Sequence, residues 1–195
     1  MSKNYSFEHD IKEALAMAEA LGEYVRGQRL YGVVRGGRFS GASSLTAGAL
    51  LMRLRRLHHL RESLKDFQVK NLDKALDYYE AVRDEWTLHY QGKLQQEAHS
   101  RLDAMRTFFY ECGDNIQNCI GIYKPEILRR TIVQEILFEL EALEVQDSEL
   151  DIKVKGTDSR LRHYVEPANF QWSEEIQPAY DEDDFWWLYH CPPKL

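Results

Sequence analysis

Five groups of side chains in this 195-residue chain have the types and spacing to do chemistry. The first lies in LYGVVRGGRFSGASS, where Gly36, Gly41 and Ser43 take the positions of the two glycines and the hydroxyl of a phosphate-cradling loop. Ala42 stands where such a loop carries the lysine that reaches the terminal phosphates, and no acidic strand follows to organise magnesium. A nucleotide triphosphatase is rejected on that context. What survives is an anion site in which Ser43 and Ser44 open a helix and Arg35 and Arg38 stand beside them.

The second group is RLRRLHHLR, Arg53 to Arg61. Helical projection puts Arg53 and Arg61 within or beside the stripe of Leu50, Leu54, Leu57 and Leu64, with Arg55, Arg56, His58 and His59 farther round. A guanidinium keeps its proton, so a buried Arg53 needs a carboxylate, a phosphate or carbonyls. Either these arginines run along the helix to nearby acids, or Arg55, Arg56 and His59 join Arg35, Arg38 and Arg53 in an anion or nucleic-acid surface.

The remaining groups are weaker as chemistry. Glu85 and His89 are one turn apart and His99 follows ten residues later, so a metal site would have to recruit ligands from other helices. The bland reading is a solvated surface pair. Cys112 and Cys119, seven apart, and Cys191 read as reduced, small apolar fillers rather than a disulfide framework. Last, Asp181, Glu182, Asp183 and Asp184 precede FWWLY, a run of charge followed by hydrophobic anchors.

The elements that must position these groups are helical. Phe7, Ile11, Leu15, Ala18, Leu21 and Val25 step by threes and fours behind Ser6, an N-cap, predicting a helix over 7–28. A second is expected from Ser43 or Ser44 to about Phe67, and a third, very long one over about 72–112, capped by Asn71, either kinked at Gly92 or packed against a partner, and stopped at Gly113. A short turn over 116–122 precedes a fourth helix that Pro125 opens and that runs to about Glu144. The expected fold is an all-α bundle of about four helices over residues 1–144, with residues 145–195 a mostly irregular, acidic, aromatic-rich extension. Eight aromatic residues fall between Tyr164 and Tyr189. Such a set must dock, on the bundle or on a partner.

Composition bounds the function. The formal charge of −7 hides an asymmetry: residues 24–70 carry ten basic and two acidic side chains, residues 139–195 five basic and fourteen acidic. No apolar run approaches the ~20 residues that span a bilayer, and the polar amino terminus does not read as a signal peptide, so a cytoplasmic protein without membrane partners is expected. The leading expectation is a non-enzymatic interaction or assembly protein, needing no cofactor, that binds a protein partner or its own copy. Its basic belt would act together with a tail carrying Trp172, Asp181, Asp183, Asp184, Phe185, Trp186 and Trp187. The alternatives are a nucleic-acid-binding subunit of a nucleoprotein complex, acting through residues 24–70, and a metal-dependent enzyme in the bundle.

Overall fold

The computed structural model of the chain describes residues 5–34, 44–114 and 116–193. Those residues form an all-α protein of six α-helices, with three short 3-10 turns and two antiparallel pairs of two-residue strands. No described helix is long and apolar enough to cross a membrane. The chain divides into two compact units, Asn4–Glu97 and Ala98–Leu195. The composition change at 144/145 lies inside the second.

In the first unit, helix α1, Phe7–Arg26, takes its N-cap from Ser6, whose hydroxyl accepts from the His9 amide, and buries Ile11, Met17, Ala18, Leu21 and Val25. It packs on α2, Ala47–His59, and α3, Asp66–Glu85. Between α1 and α2, strand β1, Gly32–Val33, pairs with β2, Ser44–Leu45, in the register Gly32 to Leu45. Gly32 allows a close approach there: a Cβ would stand 3.3 Å from the Tyr24 ring and 3.4 Å from the Leu45 Cβ. Two expected boundaries move. Helix α2 is capped by Thr46, which accepts from the Ala49 amide, while Ser44 is in a strand and Ser43 lies outside the described residues. It also stops at His59 rather than Phe67, because the chain turns at Arg61–Ser63 and Arg61 forks onto both oxygens of Asp73, at 2.6 and 3.0 Å.

The long stretch over 72–112 is helical, but as two helices: α3 starts earlier, at Asp66, and gives way at Trp86 to α4, Thr87–Asp114. The interruption is one residue, and it is not at Gly92. Trp86 leaves helical geometry (φ −117°, ψ 32°) while still bonding back to Val82, and the Thr87 hydroxyl donates to the carbonyls of Arg83 and Asp84. A threonine hydroxyl that competes for the preceding turn's carbonyls bends a helix at that point.

In the second unit, the end of α4 turns into α5, Ile116–Ala142. Pro125 lies inside α5 rather than opening it, so one backbone bond, to Gly121, is absent where the ring has replaced the N–H. Helix α5 ends with Glu144 in the left-handed region (φ 55°) and the Val145 amide reaching back to the Leu140 carbonyl. The extension then begins with a further helix, α6, Ser148–His163, where irregular chain was expected. Its N-cap is Asp147, accepting from the Leu150 amide, its first turn holds Glu149 and Asp151, and its last turn holds Arg160, Arg162 and His163. That polarity matches the helix dipole. Beyond it, strand β3, Glu166–Pro167, pairs with β4, His190–Cys191, enclosing 3-10 turns at Glu174–Ala179 and Trp186–Tyr189.

Candidate functional site

The arginine stretch is organised by α1. Asp10, buried on that helix, sits 3.2 Å from Nε of Arg53 and 3.5 Å from the Arg56 guanidinium, and accepts a hydrogen bond from the Tyr5 hydroxyl at 2.6 Å. Glu13, one turn on, adds a second carboxylate 3.9 Å from Arg53. Arg53 and Arg56 are therefore held by acids of their own unit, as a guanidinium on a leucine stripe requires. Arg55 is half-buried, and His59 is exposed with its ring bonded to the Arg55 carbonyl at 3.0 Å. Arg35 and Arg38 lie outside the described residues. The amides opening α2 also have a partner that sequence reading missed: Glu97, fully buried, accepts from the Gly48 amide at 2.9 Å. It puts a carboxylate where a bound anion was expected. Nearby in the sequence, Lys93 is buried beneath the Tyr24 ring, its ammonium donating to the Arg29 carbonyl, and burial lowers its proton affinity.

The aromatic extension packs within its own unit. Trp187, 1% exposed, donates from its indole nitrogen to the Thr131 hydroxyl at 2.9 Å, and its carbonyl accepts from Tyr123 at 2.7 Å. Burial pushes the Tyr123 phenol well up from its ordinary range. The guanidinium of Arg130 lies 4.0 Å over the Trp187 ring and forks onto Asp158 of α6 at 2.7 and 3.0 Å. Phe185 is buried among Phe138, Tyr180 and Trp187. Trp186 is covered by Arg162 at 3.8 Å and by His190, and half-buried Trp172 meets Tyr180 edge-on. Directly before these anchors, Asp181 to Asp184 are all exposed. The Asp184 amide donates to the Asp181 carboxylate, and the Phe185 amide to the Asp181 carbonyl, both at 3.0 Å. The acidic run is thus an ordered turn. Residues 98–195 hold ten basic and nineteen acidic side chains, a net charge of −9, against fourteen and thirteen, +1, in residues 4–97.

The α4–α5 hairpin carries a site that sequence reading did not single out. A groove of about 380 Å³ runs between Ala104, Phe108 and Glu111 on α4 and Pro125, Glu126 and Arg129 on α5. Each trio includes positions one or two turns apart, so one face of each helix lines it. Glu126 is 5% exposed; one oxygen accepts from Arg129, while the other, Oε2, is buried and has no hydrogen-bond partner. Burial raises the proton affinity of Glu126 above the ordinary carboxylate range, Arg129 works against the rise, and Glu111 adds to it. The available signal was a carboxylate in the apolar run PEILRRTIVQEIL, but spacing alone cannot distinguish a buried acid from a solvated one.

The hairpin also corrects the reading of the cysteines. Cys112 and Cys119 form a disulfide, with Cα atoms 5.2 Å apart. On one continuous helix seven residues rise by roughly 10 Å, so it is the turn between α4 and α5 that brings them together. Cys191 is a free thiol. Glu85 and His89 are exposed on either side of the Trp86 break, and His99 meets Asp147 at 3.3 Å. Among the described residues no group of three or more His, Cys, Asp or Glu side chains is placed to hold a metal ion. Comparison of the chain with protein-family models, curated proteins and solved structures finds no match in any of the three.

Proposed function

We propose that the chain is a non-enzymatic interaction or assembly protein whose acidic unit, residues 98–195, engages a basic partner. The observation that supports this reading is the turn Asp181–Asp184, which presents four exposed acidic side chains and is fastened on one side by the buried block Phe185–Leu188. A charged loop that is already ordered loses little conformational entropy on binding, and concentrated charge of one sign speeds encounter with a partner of the other. In this reading Trp172, Phe185, Trp186 and Trp187 anchor the turn from within the unit, and the contact itself is made by Asp181, Asp183 and Asp184. The belt of Arg53 and Arg56 has a structural part, since Asp10 and Glu13 already neutralise it. That reduces the support for nucleic acid as the partner.

The test is a fluorescence-anisotropy titration of the full chain with a labelled lysine-rich peptide, and separately with a labelled oligonucleotide. The expected result is peptide binding that weakens with added salt and is lost in the triple variant D181N/D183N/D184N. Binding of the oligonucleotide in preference to the peptide, or peptide binding indifferent to the triple substitution, overturns the reading.

A further inference from the structure

We infer that the groove between α4 and α5 seats the lysine or arginine side chain of a partner helix against Glu126. This rests on the proposal that residues 98–195 face a basic partner, and it assigns a specific receptor for that partner's charge.

The argument starts from Glu126. An ionised carboxylate accepts from about four directions. In the structure one oxygen is used by Arg129 and the other is shut away from water without a donor. Buried polar atoms without partners are rare in folded proteins and each calls for an explanation; of those in this chain, the oxygen of Glu126 belongs to a residue that lines a groove. The donor that fits is cationic, because it would face a carboxylate in a unit that is strongly acidic as a whole. Of the remaining walls, Ala104, Phe108, Ile122 and Pro125 are apolar and Thr107 adds one hydroxyl. They match the methylene stem of a long basic side chain, which packs against apolar surface while its head seeks the charge.

A polypeptide occupant fits better than a free amine because of the shape. The groove is bounded by one face of each of two helices joined as a hairpin. That is the form that receives an amphipathic helix through anchors one and two turns apart. The disulfide Cys112–Cys119 ties the two helices together at the turn, and because Oε2 of Glu126 has almost no exposed surface, a partner's ammonium reaches it only with side-chain movement in the groove.

The experiment uses the full chain and two labelled amphipathic helical peptides that differ at one position, lysine in one and norleucine in the other. Binding is read by anisotropy and mapped by backbone amide shifts. The lysine peptide is expected to bind at least ~10-fold tighter, the scale of one well-formed charge pair, and to move amides within 104–111 and 122–129. Glu126→Gln is expected to remove the preference with near-ultraviolet circular dichroism unchanged, and E111Q, at an exposed position, to reduce it less. Affinity for the lysine peptide should fall as the pH is lowered and Glu126 takes up its proton.

A lysine preference that survives E126Q, or shifts that avoid both helix faces, overturns the groove assignment. If the preference instead disappears in D181N/D183N/D184N and not in E126Q, the acidic turn is the receptor: the groove falls and the broader proposal stands. No lysine preference in any of these proteins rejects both. Butylamine moving the same amides, with the peptide binding no tighter than butylamine, overturns the polypeptide occupant.

Discussion

The two units differ in the charge they leave at the surface. In Asn4–Glu97, acids and bases are matched inside the fold: Asp10 and Glu13 hold Arg53 and Arg56, and Glu97 closes the start of α2. In Ala98–Leu195 the matched pair Arg130–Asp158 supports an aromatic core, while Asp181–Asp184 remain at the surface; a buried carboxylate oxygen without a hydrogen bond occurs in both units, on Glu13 and on Glu126. The lesson is that the arginine pair at the centre of the most basic stretch, Arg53 and Arg56, is already matched by acids. The unit whose aromatic residues looked adhesive has buried them and displays its acids instead.

The contrast breaks most visibly at Trp187. Replacing it with alanine removes a buried ring, the Thr131 hydrogen bond and the surface under Arg130, and should cost about 3–5 kcal/mol. Urea unfolding followed by tryptophan fluorescence would measure it, with loss of near-ultraviolet signal. The corresponding change in the other unit, Asp10→Asn, leaves two guanidinium groups without their shared acid and should cost about 3 kcal/mol. Replacing Asp10, Arg53 and Arg56 together with apolar residues of similar volume should recover part of that loss, because most of the buried charge is then gone and Glu13 alone remains of the cluster. A triple variant as unstable as D10N would mean that the charges contribute more than mutual neutralisation.

Smaller changes sharpen the same comparison. Glu144→Gly relieves a left-handed backbone at the end of α5 and should stabilise by about 0.5–1 kcal/mol, read as a rise in Tm. Glu126→Gln should give the smallest shift, and its pH dependence gives the diagnosis. The carboxyl's proton affinity is raised in the fold, chiefly by burial, so the native state holds the proton more tightly than the unfolded chain does. The stability this supplies is present in acid and is lost as pH rises through the raised value. E126Q should therefore melt above the wild type at neutral pH, with the gap closing in acid. A gap that widens in acid would contradict the burial argument.

Much of the fold is legible in local pattern. The stripe from Phe7 to Val25 with Ser6 before it specifies α1, and the density of aromatic residues after Tyr164 requires docking. Helix α6 was also readable, since Asp147 precedes Leu150, Val154, Thr157 and Leu161 at helical steps, but the surrounding charge and Gly156 made the stretch look irregular. The rest depends on contacts distant in sequence or on competition within a turn. The Thr87 hydroxyl breaks the long helix where no glycine or proline marks the place. Glu97 caps a helix that begins fifty residues earlier, and no spacing rule connects the two. The cysteine pair requires the chain to turn between α4 and α5, and the same turn sets Glu126 opposite Phe108 and Glu111.

Amide hydrogen exchange of the full chain, with and without the lysine-rich peptide, tests most directly the claim that residues 98–195 form the interacting unit. The account predicts new protection at 104–111, 122–129 and 181–184 and none at 53–59. Protection centred on Arg53–His59, or no change anywhere under conditions in which the peptide is bound, would contradict it.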